Sequence, residues 1–178
     1  MKHTLLALLQ DHPGALNRAI NLFRRRAFNI ESIAVGASEA AGVSRMTLVV
    51  DANDVEQVVK QLDRLIDVLQ VRDVTREATL ERETALLRLR APRGQRQEIV
   101  ALCSVFGGRV LDVGTTSMVL ELTGRPADVD HFIELVRPFG LKELTRTGRI
   151  AMVRARRDIR ATTAPEKDNG RALLRPGR

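Results

Sequence analysis

The stretch LLQDHPGALNRAINLF, residues 8–23, places an acid, a proline and a glycine directly before a helical repeat of apolar residues. Pro13 suits a first helical turn because its φ is already close to the helical value. Gly14 lowers helix stability, so it indicates either a close approach of the backbone to another group or a conformation that a Cβ forbids. Free N–H groups and the positive end of the helix dipole lie beside it, which is where a small anion can bind.

An amino acid fits this loop because it carries a carboxylate and an ammonium close together. The run FNIES begins the second strand, which we expect to start from the same end as the loop. The carboxylate would then accept from amides near Gly14 and Ala15 and from the Asn29 side chain, and Asp11 would bind the ammonium. A second interpretation stays open: Asp11 is a plain turn and cap residue, and Asn29 only tolerates a turn conformation.

No group of residues in the sequence predicts catalysis. His3, His12 and His131 lack the spacing of a metal site, and the sequence contains neither a GxGxxG nor a Walker loop. Cys103 lies in an apolar helix stripe, which is typical of a small buried residue rather than a nucleophile. We therefore predict no active site, metal or cofactor on this chain. A single cysteine also excludes an internal disulfide and fits a reducing cytoplasm.

Two segments repeat the same order of elements, which predicts two tandem βαββαβ units. The strands are expected over residues 3–9, 30–35, 43–51, 67–75, 86–91, 109–113, 118–122 and 144–153. The first helix has the apolar stripe Leu16, Ala19, Ile20, Phe23 and Ala27. The second helix is expected to begin at Asn53, where Glu56 would complete a capping box. The third helix is expected to end at Gly107, and the fourth helix to begin at Pro126.

These elements predict an α+β protein with two ferredoxin-like units, over residues 1–76 and 80–154, joined by the charged run REATLERE. A basic, disordered tail is expected over 155–178. Helices would cover only one face of each sheet. The other face is apolar in runs such as TLLALL and MTLVV, which predicts dimerisation through sheets or edge strands.

The charge distribution and the aromatic residues argue against nucleic-acid binding. Of the net charge of +7, residues 154–178 carry +5, so residues 1–153 are nearly neutral. RNA-recognition modules share the βαββαβ order but stack bases on aromatic side chains of the sheet. The chain has no Tyr or Trp, and its five phenylalanines are expected on helices or at helix ends: Phe23, Phe28, Phe106, Phe132 and Phe139. No apolar run is long enough to predict a membrane span.

The runs LLQDHPGALNRAINLFRRRAFNIESIAVG, SRMTLVV and KQLDRLIDVLQVRDVT resemble the regulatory small subunit of acetolactate synthase (acetohydroxyacid synthase). The match is nearly continuous from Leu5 to Thr75, and this unit resembles the family's amino-acid-binding ACT domain. NIES together with SRMT makes the resemblance specific to this family. The second unit resembles the family's C-terminal domain more loosely. It has Pro92 and Gly94 but no acid or amide equivalent to Asp11, which argues against a second ligand site.

The resemblance implies a non-catalytic subunit of branched-chain amino acid synthesis. Such a subunit activates a catalytic large subunit and confers feedback inhibition by valine or another branched-chain product. Thiamine diphosphate, Mg and FAD would then belong to the catalytic subunit. The implied valine pocket lies at a homodimer interface between ACT domains and carries over onto Asp11, Gly14, Ala15, Asn29, Ile30 and Ile33.

This chain departs from the family at one pocket position, because many members have asparagine where it has Asp11. A carboxylate there would bind the ligand's ammonium more strongly and repel its carboxylate. Two other functions remain as alternatives: an ACT-type amino-acid sensor of another enzyme, and an RNA-binding ferredoxin-like protein.

Overall fold

A computed structural model describes residues 1–26 and 28–155, which form two βαββαβ units, as the sequence predicts. The first unit contains β1 (Lys2–Gln10), α1 (Ala15–Arg25), β2 (Asn29–Ala37), β3 (Val43–Asp51), α2 (Val55–Asp63) and β4 (Val68–Asp73). The second contains β5 (Thr79–Arg90), α3 (Arg96–Val105), β6 (Arg109–Val113), β7 (Ser117–Gly124), α4 (Pro126–Val136), β8 (Leu141–Arg146) and β9 (Ile150–Val153). The tail expected at 155–178 lies outside the described residues, apart from Ala155.

The first sheet is antiparallel, in the order β2-β3-β1-β4, so β2 is an edge strand. Helix α2 packs against β4, and α1 packs beside α2. This arrangement puts α1 on the β2 side of the helix layer. The apolar core fills the space between the helices and the sheet, with Leu5, Phe23, Leu48 and Leu62 among its buried members.

Helix α1 buries a different stripe from the predicted one. Ala19 and Phe23 are buried as expected, but Leu16 and Ile20 are 37% and 38% exposed, and Leu22 is buried in their place. The apolar arc of α1 is wider than the surface that the sheet covers, so periodicity alone does not select the buried side. Ala27, the last member of the predicted stripe, lies outside the described residues.

The predicted cap of α2 is one residue too early. Asp54 is the N-cap, and its side chain accepts a hydrogen bond of 3.0 Å from the amide of Gln57. Asn53 and Asp54 are both good capping residues, so local preference does not separate them. The other predicted helix start, at Pro126, is confirmed.

The second sheet has the order β6-β7-β5-β8, with β9 pairing to the first residues of β5. The strand predicted over 144–153 is instead two strands, β8 and β9, separated by a turn in which Gly148 has φ +79°. Strand β9 also explains why β5 begins at Thr79, inside the run expected to be a charged connection: the pairing with β9 supplies hydrogen-bond partners there.

The second core encloses Cys103, and burial raises the pKa of its thiol, as expected for a packing residue. The five phenylalanines all lie outside the strands, as predicted. Among residues 1–26 and 28–155, no helix is long and apolar enough to cross a membrane. Within the same residues, no cluster of three or more His, Cys, Asp or Glu could hold a metal ion.

Candidate ligand-binding site

Backbone conformation explains the glycine at the start of α1. Gly14 is the N-cap residue and has φ +93°, a left-handed conformation that side chains disfavour. An added Cβ would also lie 3.3 Å from Nη1 of Arg18, whose side chain reaches back over the first turn. Glycine is therefore needed at position 14 because the backbone adopts a conformation that a Cβ disfavours.

The first turn of α1 keeps several backbone donors free. The Ala15 amide donates to the carbonyl of His12 at 3.2 Å, so it is already used within the turn. The amides of Gly14, Leu16 and Asn17 have no acceptor among the described residues. These three amides, rather than that of Ala15, are the donors available to an anion.

A partly buried ion pair links the first turn of α1 to Asp67. Asp67 is only 2% exposed, and its carboxylate accepts from Nε and Nη2 of Arg18. His12 Nε2 lies 3.0 Å from the same carboxylate. The backbone carbonyl of Asp67 accepts from the Gln10 amide at 2.8 Å. The hydrogen bonds from Arg18 and its positive charge lower the pKa of Asp67.

Sequence reasoning missed this pair because Arg18 and Asp67 are 49 residues apart. An arginine in the first turn of a helix is unfavourable for the helix dipole, which is a weak local signal that a partner acid is needed. Only the packing of β4 beside β1 identifies Asp67 as that partner.

The Asp11 side chain is exposed and forms no hydrogen bond or ion pair with any described residue. The N-cap residue of α1 is Gly14, and no side chain of the described residues caps the helix, so Asp11 does not act as its cap. Its amide donates to the carbonyl of Gly42 at 2.8 Å, which anchors the loop to the β2–β3 connection. The Asp11 carboxylate is therefore free to bind a cation.

The expectation that the loop and Asn29 share one end of the sheet is wrong. Gln10, just before the loop, pairs with Val43 at one end of β3, whereas Asn29 pairs with Asp51 at the other end. At about 3.3 Å per residue, the strand between them spans about 25 Å. Helix α1 runs back along the sheet before β2 begins, which is why the two ends differ.

The structure therefore divides the six predicted site residues into two groups. Asp11, Gly14 and Ala15 lie together at the loop, where Ala15 is buried. Asn29 is exposed at the start of β2, and Ile30 and Ile33 are partly buried against the first core. One amino acid cannot touch both groups within a single chain. Binding by these residues stays a prediction.

Comparison with known proteins agrees with this architecture. Residues 5–70 match the family described as "AHAS small subunit-like ACT domain", and residues 82–155 match "Small subunit of acetolactate synthase". A crystal structure of the acetolactate synthase small subunit from Thermotoga maritima superposes with a TM-score of 0.81 at 36% identity, covering 88% of this chain and 99% of that one.

Two curated relatives are similar over most of their length. The probable acetolactate synthase small subunit of Archaeoglobus fulgidus is 49% identical over 156 residues, which is 86% of this chain and 98% of the relative. The small subunit of Bacillus subtilis is 43% identical over 157 residues, 86% of this chain and 91% of the relative.

The paired βαββαβ units and the family match define an ACT-domain protein of the regulatory type. The chain belongs to the family of acetolactate synthase small subunits. This family implies a catalytic large subunit as partner.

Proposed function

We propose that this chain activates the catalytic subunit of acetolactate synthase and makes it sensitive to feedback inhibition by valine. The valine pocket is formed by two copies of the chain, each giving its β1–α1 loop to one pocket and its Asn29 region to the other. Thiamine diphosphate, Mg and FAD belong to the catalytic subunit, and the complex works in the cytoplasm.

The register of the first sheet carries this proposal. Strand β2 is an edge strand, so its outer side can pair with a second copy of itself. A two-fold axis through the middle of β2 makes the two strands antiparallel. Asn29 of one chain then lies near Ala37 of the other. Ala37 is at the loop end of the sheet, because it pairs with Ser44 next to the partner of Gln10. In this arrangement the two separated groups of site residues would lie at the same end of the combined sheet, one from each copy.

Exposed apolar residues continue the same surface. Leu16 and Ile20 face away from the core on α1, which lies on the β2 side of the helix layer. Val35 on β2 is exposed as well. Burial of these side chains against a second copy would stabilise the pairing of the edge strands.

The chemistry of the pocket matches the two ends of a free amino acid. The ligand carboxylate accepts from the open amides of Gly14 and Leu16 and from the Asn29 amide of the second copy. Asp11 binds the ammonium through a charge-assisted hydrogen bond. Ile30 and Ile33 of the second copy form an apolar wall for a branched side chain, which favours valine over polar amino acids.

Calorimetric titration of the purified chain with valine, leucine and isoleucine tests the effector. We expect valine to bind and to inhibit acetolactate formation by the reconstituted enzyme, while the chain without valine raises its activity. Absence of binding by all three amino acids would contradict the proposal.

A mixing experiment tests the two-chain pocket. Gly14→Asp damages only the loop half of the pocket, and Asn29→His only the other half. Each variant alone is expected to lose valine binding. In a heterodimer of the two variants, one pocket contains both substitutions and the other pocket contains neither. Valine should therefore bind to one of the two pockets of each heterodimer that forms in an equimolar mixture. If the pocket were formed within one chain, both pockets would stay damaged and mixing would restore none.

A further inference from the structure

The turn between β8 and β9, residues 147–149, contacts strand β2 of the first unit directly. The Arg149 amide donates a hydrogen bond of 2.9 Å to Oγ of Ser32, across 117 residues of sequence. A Cβ on Gly148 would lie 2.8 Å from the same Oγ and 3.1 Å from the Ile33 carbonyl. With φ +79° as well, Gly148 is the residue that lets this turn approach β2 so closely.

Strand β2 is irregular at this contact. Ile30 pairs with Val50 and Ser32 pairs with the adjacent Val49, so Glu31 is an extra residue that forms a bulge. Bulges interrupt the ladder of hydrogen bonds and change the direction of nearby side chains. Ser32 therefore lies between Ile30 and Ile33, the apolar wall of the proposed pocket, on the segment of β2 where the ladder is interrupted.

Within the second unit, the turn and the end of β8 are held by several hydrogen bonds. Arg146 donates to both carboxylate oxygens of Glu83, at 2.8 and 2.6 Å, and to Asp130 on α4 at 2.7 Å. Glu83 is only 6% exposed, whereas the Arg146 side chain is partly exposed, so the pair is shielded from water on the Glu83 side. The Thr147 amide donates to the Thr84 carbonyl at 3.0 Å. A displacement of the turn must therefore move β8, β5 or α4 with it.

We propose that the contact between Ser32 and the Gly148 turn couples occupancy of the ligand pocket to the second unit. Ser32 and Gly148 are positioning residues: neither touches the ligand, and each transmits a shift of β2 to the Arg146 cluster. This inference rests on the proposed function, because it assumes that valine presses on Ile30 and Ile33.

The test compares ligand binding with inhibition in the same variants. Ser32→Ala removes the acceptor of the Arg149 amide, and Gly148→Ala forces the turn away from β2. Ser104→Ala is the matched serine control, because its hydroxyl donates to the Val100 carbonyl within α3. Gly107→Ala is the matched glycine control: it also has a positive φ, +69°, and no atom of the described residues lies within 4 Å of an added Cβ. Valine Kd is measured by calorimetry on the isolated chain, and inhibition on the enzyme reconstituted with its catalytic subunit.

We expect both Ser32→Ala and Gly148→Ala to bind valine with a Kd within about twofold of the wild-type value. The valine concentration that gives half-inhibition should nevertheless rise about fivefold or more, because about fivefold is the lower end of the coupling between linked sites. Both controls should behave as wild type. Unchanged inhibition in Ser32→Ala would overturn the coupling, even if Gly148→Ala fails to fold. A parallel loss of binding and inhibition would also overturn it, since the contact would then only shape the pocket. A wild-type chain that binds no valine would overturn both this inference and the proposed function.

Discussion

Gly14 is constrained by its own backbone before any ligand is considered. A side chain at φ +93° costs about 1–2 kcal/mol, and its Cβ would touch the guanidinium of Arg18. The guanidinium of Arg18 is already paired with the carboxylate of Asp67, so a new charge at position 14 would also disturb that pair. A substitution at Gly14 therefore combines strain with a change in the charge of the candidate site.

Gly14→Asp should abolish inhibition by valine and leave activation intact. The new carboxylate would pair with Arg18 and repel the ligand carboxylate, which we expect to weaken valine binding at least about tenfold, or about 1.4 kcal/mol. Acetolactate formation by the reconstituted enzyme across a valine titration measures this.

Gly14→Ala separates strain from charge at the same position. It has the same backbone cost without the carboxylate, so it should bind valine more tightly than Gly14→Asp. Normal inhibition of Gly14→Asp would place the ligand elsewhere. Loss of activation together with inhibition would show that the substitution damages the fold.

Asp67 should make the stability of the chain depend on acid pH. Arg18 lowers the pKa of Asp67 in the folded chain, below the value of about 3.9 for an unfolded aspartate. The folded state then binds fewer protons than the unfolded state in this range. The stabilisation is fully present well above pH 4 and is lost as the pH falls through the lowered pKa.

Asp67→Asn should therefore destabilise the chain more at pH 7 than at about pH 3. Urea unfolding of the wild type and the variant at both pH values measures the difference. Asp63→Asn, an exposed aspartate at the end of α2, is the matched control and should show little effect at either pH. An equal loss of stability for Asp67→Asn at both pH values would mean that its charge is not what stabilises the fold.

At the scale of elements, α1 and β2 together form the surface on which a second copy is expected to bind. The fold leaves Leu16 and Ile20 outside the core because α1 already buries Ala15, Ala19, Leu22 and Phe23 against the sheet. Leu16 and Ile20 are exposed because of the way α1 packs on the sheet. The amino-acid pattern of α1 does not predict this, because the helix is apolar on both sides.

Ile20→Glu should weaken self-association with little effect on the folding of one chain. Ile20 is 38% exposed, so the monomer tolerates a charge there, but a dimer would bury two carboxylates at a cost of at least about 1–3 kcal/mol each. Light scattering over a dilution series measures the shift towards monomer, and valine binding should weaken in parallel.

Ile66→Glu is the control for this change, because Ile66 is 84% exposed and follows α2, away from β2. It should leave the dimer unchanged. A monomeric wild type at micromolar concentration would contradict the two-chain pocket altogether.

For the molecule as a whole, the two units account for the family's two domains, and the segment from Ile159 to Arg178 lies outside them. That segment has few apolar residues and scattered charge. Its removal should leave both activation and the valine response intact. A truncated chain that no longer activates the catalytic subunit would identify the segment as a docking arm.

The order of the elements and the class of fold follow from the amino-acid sequence alone. Strands β3 and β6 have the predicted bounds, and α4 begins at Pro126 as predicted. These features are local: alternation of apolar residues, turn residues and helix-start signals act within a few positions along the chain. The resemblance to the family can also be recognised from the sequence, because continuous runs of residues carry it.

The contacts between distant residues become visible only in the folded chain. The fold separates Asn29 from the loop at Asp11, pairs Arg18 with Asp67, and brings Gly148 against Ser32. Each of these relations depends on strand register and on packing between elements far apart in sequence, where a shift of one residue changes every contact. Local preferences carry no information about that register, because it is set by the combined burial of both faces of the sheet.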